Sequence, residues 1–118
     1  MRKLLVVIQG DYVAPRFDLV TEVIIVKYEQ NKVVEELKNI IMERPSGEAL
    51  SQMMVDEHVT DLVCGGIEDL HYQFLVWKRV NVVDRVIAPW QAALDQHVQG
   101  RLQQGDVIRP TDKKRMSL

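Results

Sequence analysis

The sequence has few of the features that mark secreted, membrane-spanning or nucleic-acid-binding proteins. It contains one cysteine in 118 residues, which excludes an internal disulfide and is typical of a reducing compartment. No apolar run approaches the roughly 18 residues of a transmembrane helix, and the run near the N-terminus is shorter than a signal peptide requires. The formal net charge is −2, so no overall attraction to nucleic acid is expected. These absences predict a cytoplasmic protein that binds neither nucleic acid nor a membrane.

Motifs of common catalytic sites are also missing. There is no Gly-x-Ser-x-Gly, no phosphate-binding loop ending in Gly-Lys-Ser/Thr and no His-x-x-x-His pair. A two-metal nuclease site would need several clustered carboxylates. Asp11 and Asp18 share a predicted loop, but we predict no acidic residue inside a core strand. We therefore expect a protein without enzymatic activity. A hydrolase on this fold is the least favoured hypothesis.

The apolar residues that are present predict a single α/β domain. They make up 47% of the chain, enough for one sizeable core. Alternating strand-like and helix-like patterns in the second half predict parallel strands joined by helices. Strands are predicted at residues 4–8, 20–28, 60–64 and 80–87, and helices at 46–57, 67–78 and 89–98. We place the domain at residues 1–105 and a flexible tail at 106–118.

One segment, residues 33–43, carries two conflicting signals. Its apolar residues recur at helical spacing, which favours an amphipathic helix. The preceding polar stretch at residues 29–32 contains Asn31, which suits a tight turn and favours a hairpin with a second strand. The local pattern alone leaves both possibilities open.

Four pieces of sequence, taken in order, resemble a known family. They are KLLVVIQGDYVAPRFD, VTEVIIVKY, ALSQMMVDEHVTDLVCGGI and AALDQHVQGRL, which together span roughly residues 3–102. The most specific piece is the apolar strand that ends in Gly65, Gly66 and Ile67, followed about 30 residues later by a helix ending in Gly and Leu. The chain resembles the dinitrogenase iron–molybdenum cofactor biosynthesis family, the NifX-like domains.

The resemblance implies a fold and a function. The implied fold is ribonuclease-H-like α/β, with a five-stranded mixed sheet in the order 3-2-1-4-5 and about three helices, so residues 33–43 become its third strand. The implied function is that of a small carrier for an iron–sulfur or iron–molybdenum cluster, or for its precursor. The implied partners are this cluster or another anionic ligand, and proteins of cofactor biosynthesis.

The implied strand order also predicts where a ligand would bind. In open α/β sheets, ligands lie beyond the carboxyl ends of the strands where the strand order reverses, here between strands one and four. This switch point would bring the loop of residues 9–18 beside the turn of residues 64–71. The candidate metal ligands are Cys64 and His71, and the candidate cofactor-binding residues are Arg16, Gly65, Gly66 and Ile67.

Each candidate also has a purely structural explanation. Cys64 is typical of a small core residue and His71 of a histidine at a core boundary, while the two glycines are typical of a tight turn. If the turn is tight, one of its glycines should have positive φ. Arg16 and Asp18 could form an ordinary surface pair. No role is predicted for His58 or His97.

Two departures from the family pattern favour an alternative function. Relatives often have His-Phe-Gly where this chain has Arg16-Phe17-Asp18, and this difference removes a metal ligand. Relatives usually have a further glycine where this chain has Glu68, and this difference adds a negative charge. The alternative is a protein-interaction or regulatory module that keeps the fold and has lost cluster binding.

Overall fold

The chain folds into a mixed β-sheet with helices packed against it. A computed structural model describes residues 1–110, so residues 111–118 of the predicted tail lie outside the described part. The strands are β1 Arg2–Gln9, β2 Tyr12–Val13, β3 Glu22–Glu29, β4 Lys32–Ile41, β5 Asp61–Val63 and β6 Asn81–Val83. The helices are α1 Gly47–Asp56, α2 Asp69–Trp77 and α3 Trp90–Val98, with a short 3-10 turn at Phe17–Leu19.

The five main strands lie in the order β4-β3-β1-β5-β6, which is the order predicted for them. β1 pairs antiparallel with β3 and parallel with β5, and β5 pairs parallel with β6. The predicted count of five strands is wrong, because β2 folds back on the end of β1 as a sixth. The two-residue turn between them includes Gly10 at φ 60°, a conformation that glycine adopts at little cost.

The ambiguous segment is an edge strand, as the resemblance implied. β4 pairs with β3 over ten residues, but Val34 and Leu37 have no direct partner there, so β4 carries two irregularities of β-bulge type. Each extra residue breaks the two-residue alternation of a strand. The apolar residues of β4 therefore fall at spacings that resemble a helix, which explains the conflicting signal in the sequence.

The helices cover opposite faces of the sheet. Ile25 and Val26 are adjacent in β3, so their side chains point to opposite faces. Ile25 pairs with Lys38, whose ammonium group contacts the carboxylate of Glu57 at the end of α1. Val26 instead lies beside Trp90 and Leu94 of α3. The core between the layers is formed by β1 and β3 together with side chains from the helices, such as Leu50, Met54, Leu75, Ala93 and Val98.

The C-terminal part of the fold differs from the expectation in two ways. β6 ends at Val83, whereas a strand was predicted to residue 87. Ile87 exchanges backbone hydrogen bonds with Asp106 and Ile108 at 3.0 and 2.8 Å, so backbone pairing continues past residue 105, where we placed the end of the domain. Ile108 also packs against the core. Within residues 1–110, no helix is both long enough and apolar enough to cross a membrane.

Candidate functional site

The loop and the turn predicted to meet at the switch point do meet there. The amide of Gly66 donates to the carbonyl of Pro15 at 2.7 Å, and the amide of Phe17 donates to the carbonyl of Gly66 at 2.8 Å. Arg16 and Gly66 thus form a parallel bridge beyond the ends of β1 and β5. The strand order therefore places the backbone of the candidate site correctly.

The two glycines meet a steric requirement rather than a conformational one. Neither of them has positive φ, so the expectation of a left-handed glycine in this turn is wrong. A β-carbon on Gly65 would lie 2.5 Å from the carbonyl oxygen of Ala14 and 2.7 Å from that of Pro15. On Gly66 the nearest atom would be the oxygen of Pro15 at 3.3 Å. Gly65 is therefore the residue that permits the two backbones to approach.

Carboxylates surround the start of α2. The helix begins at Asp69 with Glu68 as its N-cap, and both residues are exposed. Their negative charges stabilise the positive helix end. They also occupy the place where an anionic ligand would approach. Ile67 is half-buried against the core and lines a shallow polar crevice with Asp84 and Arg85.

The guanidinium of Arg16 already has an anionic partner. It donates to both carboxylate oxygens of Asp18, at 3.2 and 2.8 Å. This interaction lowers the pKa of Asp18 below its ordinary value. The surface pair considered from the sequence is thus formed, and Asp18 neutralises part of the charge that Arg16 could offer to another anion.

The thiol of Cys64 is buried in the core. The residue is 0% exposed, and its backbone is bonded to Val83 and Val86 at 3.1 Å on the side of β6. Burial raises the pKa of the thiol, and the nearby charge of Asp84 raises it further. Metal binding requires the thiolate, so this environment disfavours Cys64 as a ligand.

His71 lies in a different place, between α1 and α2. Its ring is 5.8 Å from that of Phe17, centroid to centroid, and its Nε2 edge rests against the backbone of Gly47. A β-carbon on Gly47 would collide with this edge of the imidazole. No group of three or more His, Cys, Asp or Glu side chains in residues 1–110 could hold a metal ion. The candidate side chains therefore lie in three different places: Cys64 in the core, Arg16 at the surface and His71 between α1 and α2.

The sequence interpretation missed a buried polar cluster built around Asp61. This residue is 0% exposed and opens β5, so the prediction that core strands carry no acidic residue is wrong. Arg2 donates to both of its carboxylate oxygens at 2.6 and 2.9 Å, and the hydroxyl of Tyr28 donates at 2.9 Å. Other members of this Asp61 cluster are Thr60, Asn81 and His97.

The Asp61 cluster lies at the sheet end opposite the switch point. Arg2, Asp61 and Asn81 are the first residues of the parallel strands β1, β5 and β6. Burial by itself would raise the pKa of Asp61, but the side chains of His97, Arg2, Tyr28 and Thr60 together hold it far below its ordinary value. A polar residue at the first position of each of these strands was the available signal in the sequence. His97 of α3 contacts Asp61 of β5, so the cluster links α3 to the sheet.

Comparison with known proteins shows the fold. No protein family and no curated protein matches the chain. The crystal structure of a protein named PH0822 matches with TM-score 0.77 and 14% identity, covering 86% of this chain and 93% of that one. A candidate dinitrogenase from Methanocaldococcus jannaschii, solved by NMR, matches with TM-score 0.69 and 19% identity, covering 87% and 92%. A candidate NifB protein from Thermotoga matches with TM-score 0.66 and 20% identity, covering 93% and 99%. The chain therefore shares its α/β fold with these three proteins.

Proposed function

We propose that this chain is a non-catalytic, cytoplasmic protein-interaction module of the nitrogenase-cofactor-biosynthesis type, on a NifX-like, ribonuclease-H-like fold. The strand order and the likeness to structures named as candidate dinitrogenase and NifB proteins support the choice of family. Arg16 is paired with Asp18 at the surface, the Cys64 thiol is buried in the core, and the His71 ring lies against Gly47; these separate placements support a module over a carrier.

One observation carries the proposal: the apolar surface along α2. Leu70 and Trp77 are 70% and 74% exposed, and half-buried Phe74 lies between them at helical spacing. The ammonium of Lys78 lies 4.6 Å from the centroid of the Trp77 ring. Large exposed apolar residues in a row, with a tryptophan among them, are typical of the centre of a protein–protein interface.

The test uses variants of this surface in the full-length chain. Affinity purification from the native host should recover a protein of cofactor biosynthesis, and the purified partner should then bind directly. Trp77→Ala should weaken that binding by roughly tenfold or more, since interface tryptophans often contribute more than about 2 kcal/mol. Ile41→Ala is the matched control, because Ile41 is 76% exposed on the distant edge strand β4. Equal binding by both variants and the parent would refute a role for α2.

A cluster carrier is the second candidate, and His71 is the observation that favours it. Its imidazole is half-buried beside the switch-point residue Phe17, and no hydrogen bond to it is found within residues 1–110. An iron–sulfur or iron–molybdenum cluster, or its precursor, could then be held by His71, with Arg16, Gly65, Gly66 and Ile67 around it.

Anaerobic reconstitution with iron, sulfide and molybdate separates the two candidates. A carrier should retain metal after desalting, lose it in His71→Ala and keep it in Cys64→Ala, because the Cys64 thiol is buried. Metal content measured on the three proteins gives the answer. Absence of retained metal in the parent would rule out the carrier and leave the interaction module, whereas equal retention in His71→Ala would rule out His71 as the ligand.

A further inference from the structure

A groove between α1 and α2 shares Leu70 and Phe74 with the apolar surface of α2. Its volume is about 260 Å³, and six residues line it, namely Glu48, Ser51, Gln52, Leu70, His71 and Phe74. A cavity of roughly 150 Å³ can hold benzene, and drug-sized ligands occupy about 300 Å³ or more. The groove is therefore large enough for one ring with a short substituent and too small for a helix or an extended peptide.

Among the polar side chains that line the groove, the hydroxyl of Ser51 has no hydrogen-bond partner. Ser51 is only 3% exposed, and its Oγ is the one buried side-chain oxygen or nitrogen in residues 1–110 that has no hydrogen-bond partner. Buried polar groups in folded proteins almost always have a partner. A ligand oxygen at the base of the groove would supply it by accepting a hydrogen bond from Ser51.

The walls of the groove favour a flat, apolar ligand body. Phe74 and His71 both line it and both carry aromatic rings, and Leu70 adds an aliphatic side chain. The imidazole fits close to α1 because Gly47 has no side chain, and a β-carbon there would come within 2.8 Å of the ring Cδ2. Aromatic rings pack well against other rings in offset or edge-to-face arrangements.

The charge of the groove limits the ligand further. Glu48 is the acidic residue among the six, and no lysine or arginine lines the groove, so an anion is disfavoured. We propose that the α1–α2 groove binds a small neutral molecule with a single aromatic ring and a hydroxyl or carbonyl oxygen that accepts a hydrogen bond from Ser51. This site shares Leu70 and Phe74 with the proposed interaction surface, but it takes a small molecule rather than a protein and uses no metal.

Phenol and benzene form a matched pair of probes. Titration of the isotope-labelled full-length protein, in buffer with a chelator, is followed by NMR through the amide signals of Ser51 and His71. Phenol should shift these signals saturably and bind roughly fivefold tighter than benzene, as one additional hydrogen bond would give. Ser51→Ala should bind phenol and benzene equally, and should melt no lower than the parent because alanine is a better helix former.

Control variants make the result specific to the groove. Gln73→Ala changes an exposed residue of α2 that does not line the groove, so it should leave both affinities unchanged. Benzoate should bind more weakly than phenol in the parent, because its carboxylate is repelled by Glu48. Glu48→Gln removes that repulsion and should therefore reduce the difference between the affinities for phenol and benzoate. Equal affinity for phenol and benzene in the parent, a phenol preference that survives in Ser51→Ala, or shifts confined to residues outside the groove would each overturn the proposal.

Discussion

Gly65 and Gly66 are neighbours in the sequence, yet they leave different room for a side chain. Gly65→Ala would place a β-carbon 2.5 Å from a backbone oxygen that cannot move independently. We expect a loss of roughly 2 kcal/mol or more in the free energy of unfolding. Gly66→Ala should change it by less than about 1 kcal/mol, because its contact is 3.3 Å and its φ is negative. Urea denaturation of both variants measures the difference, and equal losses would contradict the steric explanation.

Cys64 should react only slowly with thiol reagents while the protein is folded. Its thiol is buried and its pKa is raised by that burial, so little thiolate is present or accessible. At pH 8, a thiol reagent should modify Cys64 roughly a hundredfold more slowly in native protein than in urea-unfolded protein. The exposed thiol introduced by Gln73→Cys provides the fast reference in the same chain. Native Cys64 reacting at that reference rate would mean that the strand end opens readily.

At the scale of elements, β4 shows where a sequence pattern misleads and why. Val33, Val34 and Leu37 have helical spacing, yet the segment is a strand whose extra residues at Val34 and Leu37 disturb the alternation. Periodicity reports which residues share a face only when the strand is regular. The strand was predictable from the order of neighbouring elements and from the resemblance, whereas the bulges depend on pairing with β3.

The partners of Asp61 could not be predicted from the sequence for a different reason. Arg2, Tyr28 and His97 contact Asp61 from distances of 59, 33 and 36 positions along the chain. In the sequence, Asp61 stands between Thr60 and Leu62 and gives no indication of the distant side chains that contact it. A prediction from sequence could place the residue in a strand, but only the packing of α3 on the sheet reveals what neutralises its charge.

The Asp61 cluster should make folding stability depend on acidity. The pKa of Asp61 is lower in the folded chain than in the unfolded chain, so its contribution is full above about pH 4 and declines as the pH falls further. Asp61→Asn should cost roughly 1–3 kcal/mol at pH 7, since it removes the buried carboxylate that accepts hydrogen bonds from Arg2 and Tyr28. The difference between parent and variant should shrink steadily below pH 4.

Denaturation curves between pH 2 and pH 7 test this expectation. Asp18→Asn serves as the comparison, because Asp18 also has a lowered pKa but forms its ion pair with Arg16 on the surface. Its effect at pH 7 should be much smaller than that of Asp61→Asn. A constant difference between the parent and Asp61→Asn across this range would show that the carboxylate charge does not contribute.

At the scale of the whole molecule, the topology determines where the site lies and the packing determines what it can do. Strand order was enough to predict that the loop of Arg16 meets the turn of Gly66, because switch points follow from topology. The directions of the side chains could not be predicted in the same way. Cys64 faces the core and His71 faces α1, and both depend on contacts with distant elements.

Residues 106–110 should contribute to the stability of the domain. Residues 106–110 add two backbone hydrogen bonds to Ile87 and place Ile108 against the core. A chain that ends at residue 105 should therefore be less stable than one that ends at residue 110, by roughly 1–3 kcal/mol. Ile108→Ala in the full chain should reproduce part of this loss, whereas Val107→Ala, at a 55% exposed position, should not. Urea denaturation measures the two truncated chains, the two variants and the full chain. Equal stability of the two truncated chains would support a domain that ends at residue 105 and would show that the pairing with Ile87 adds nothing.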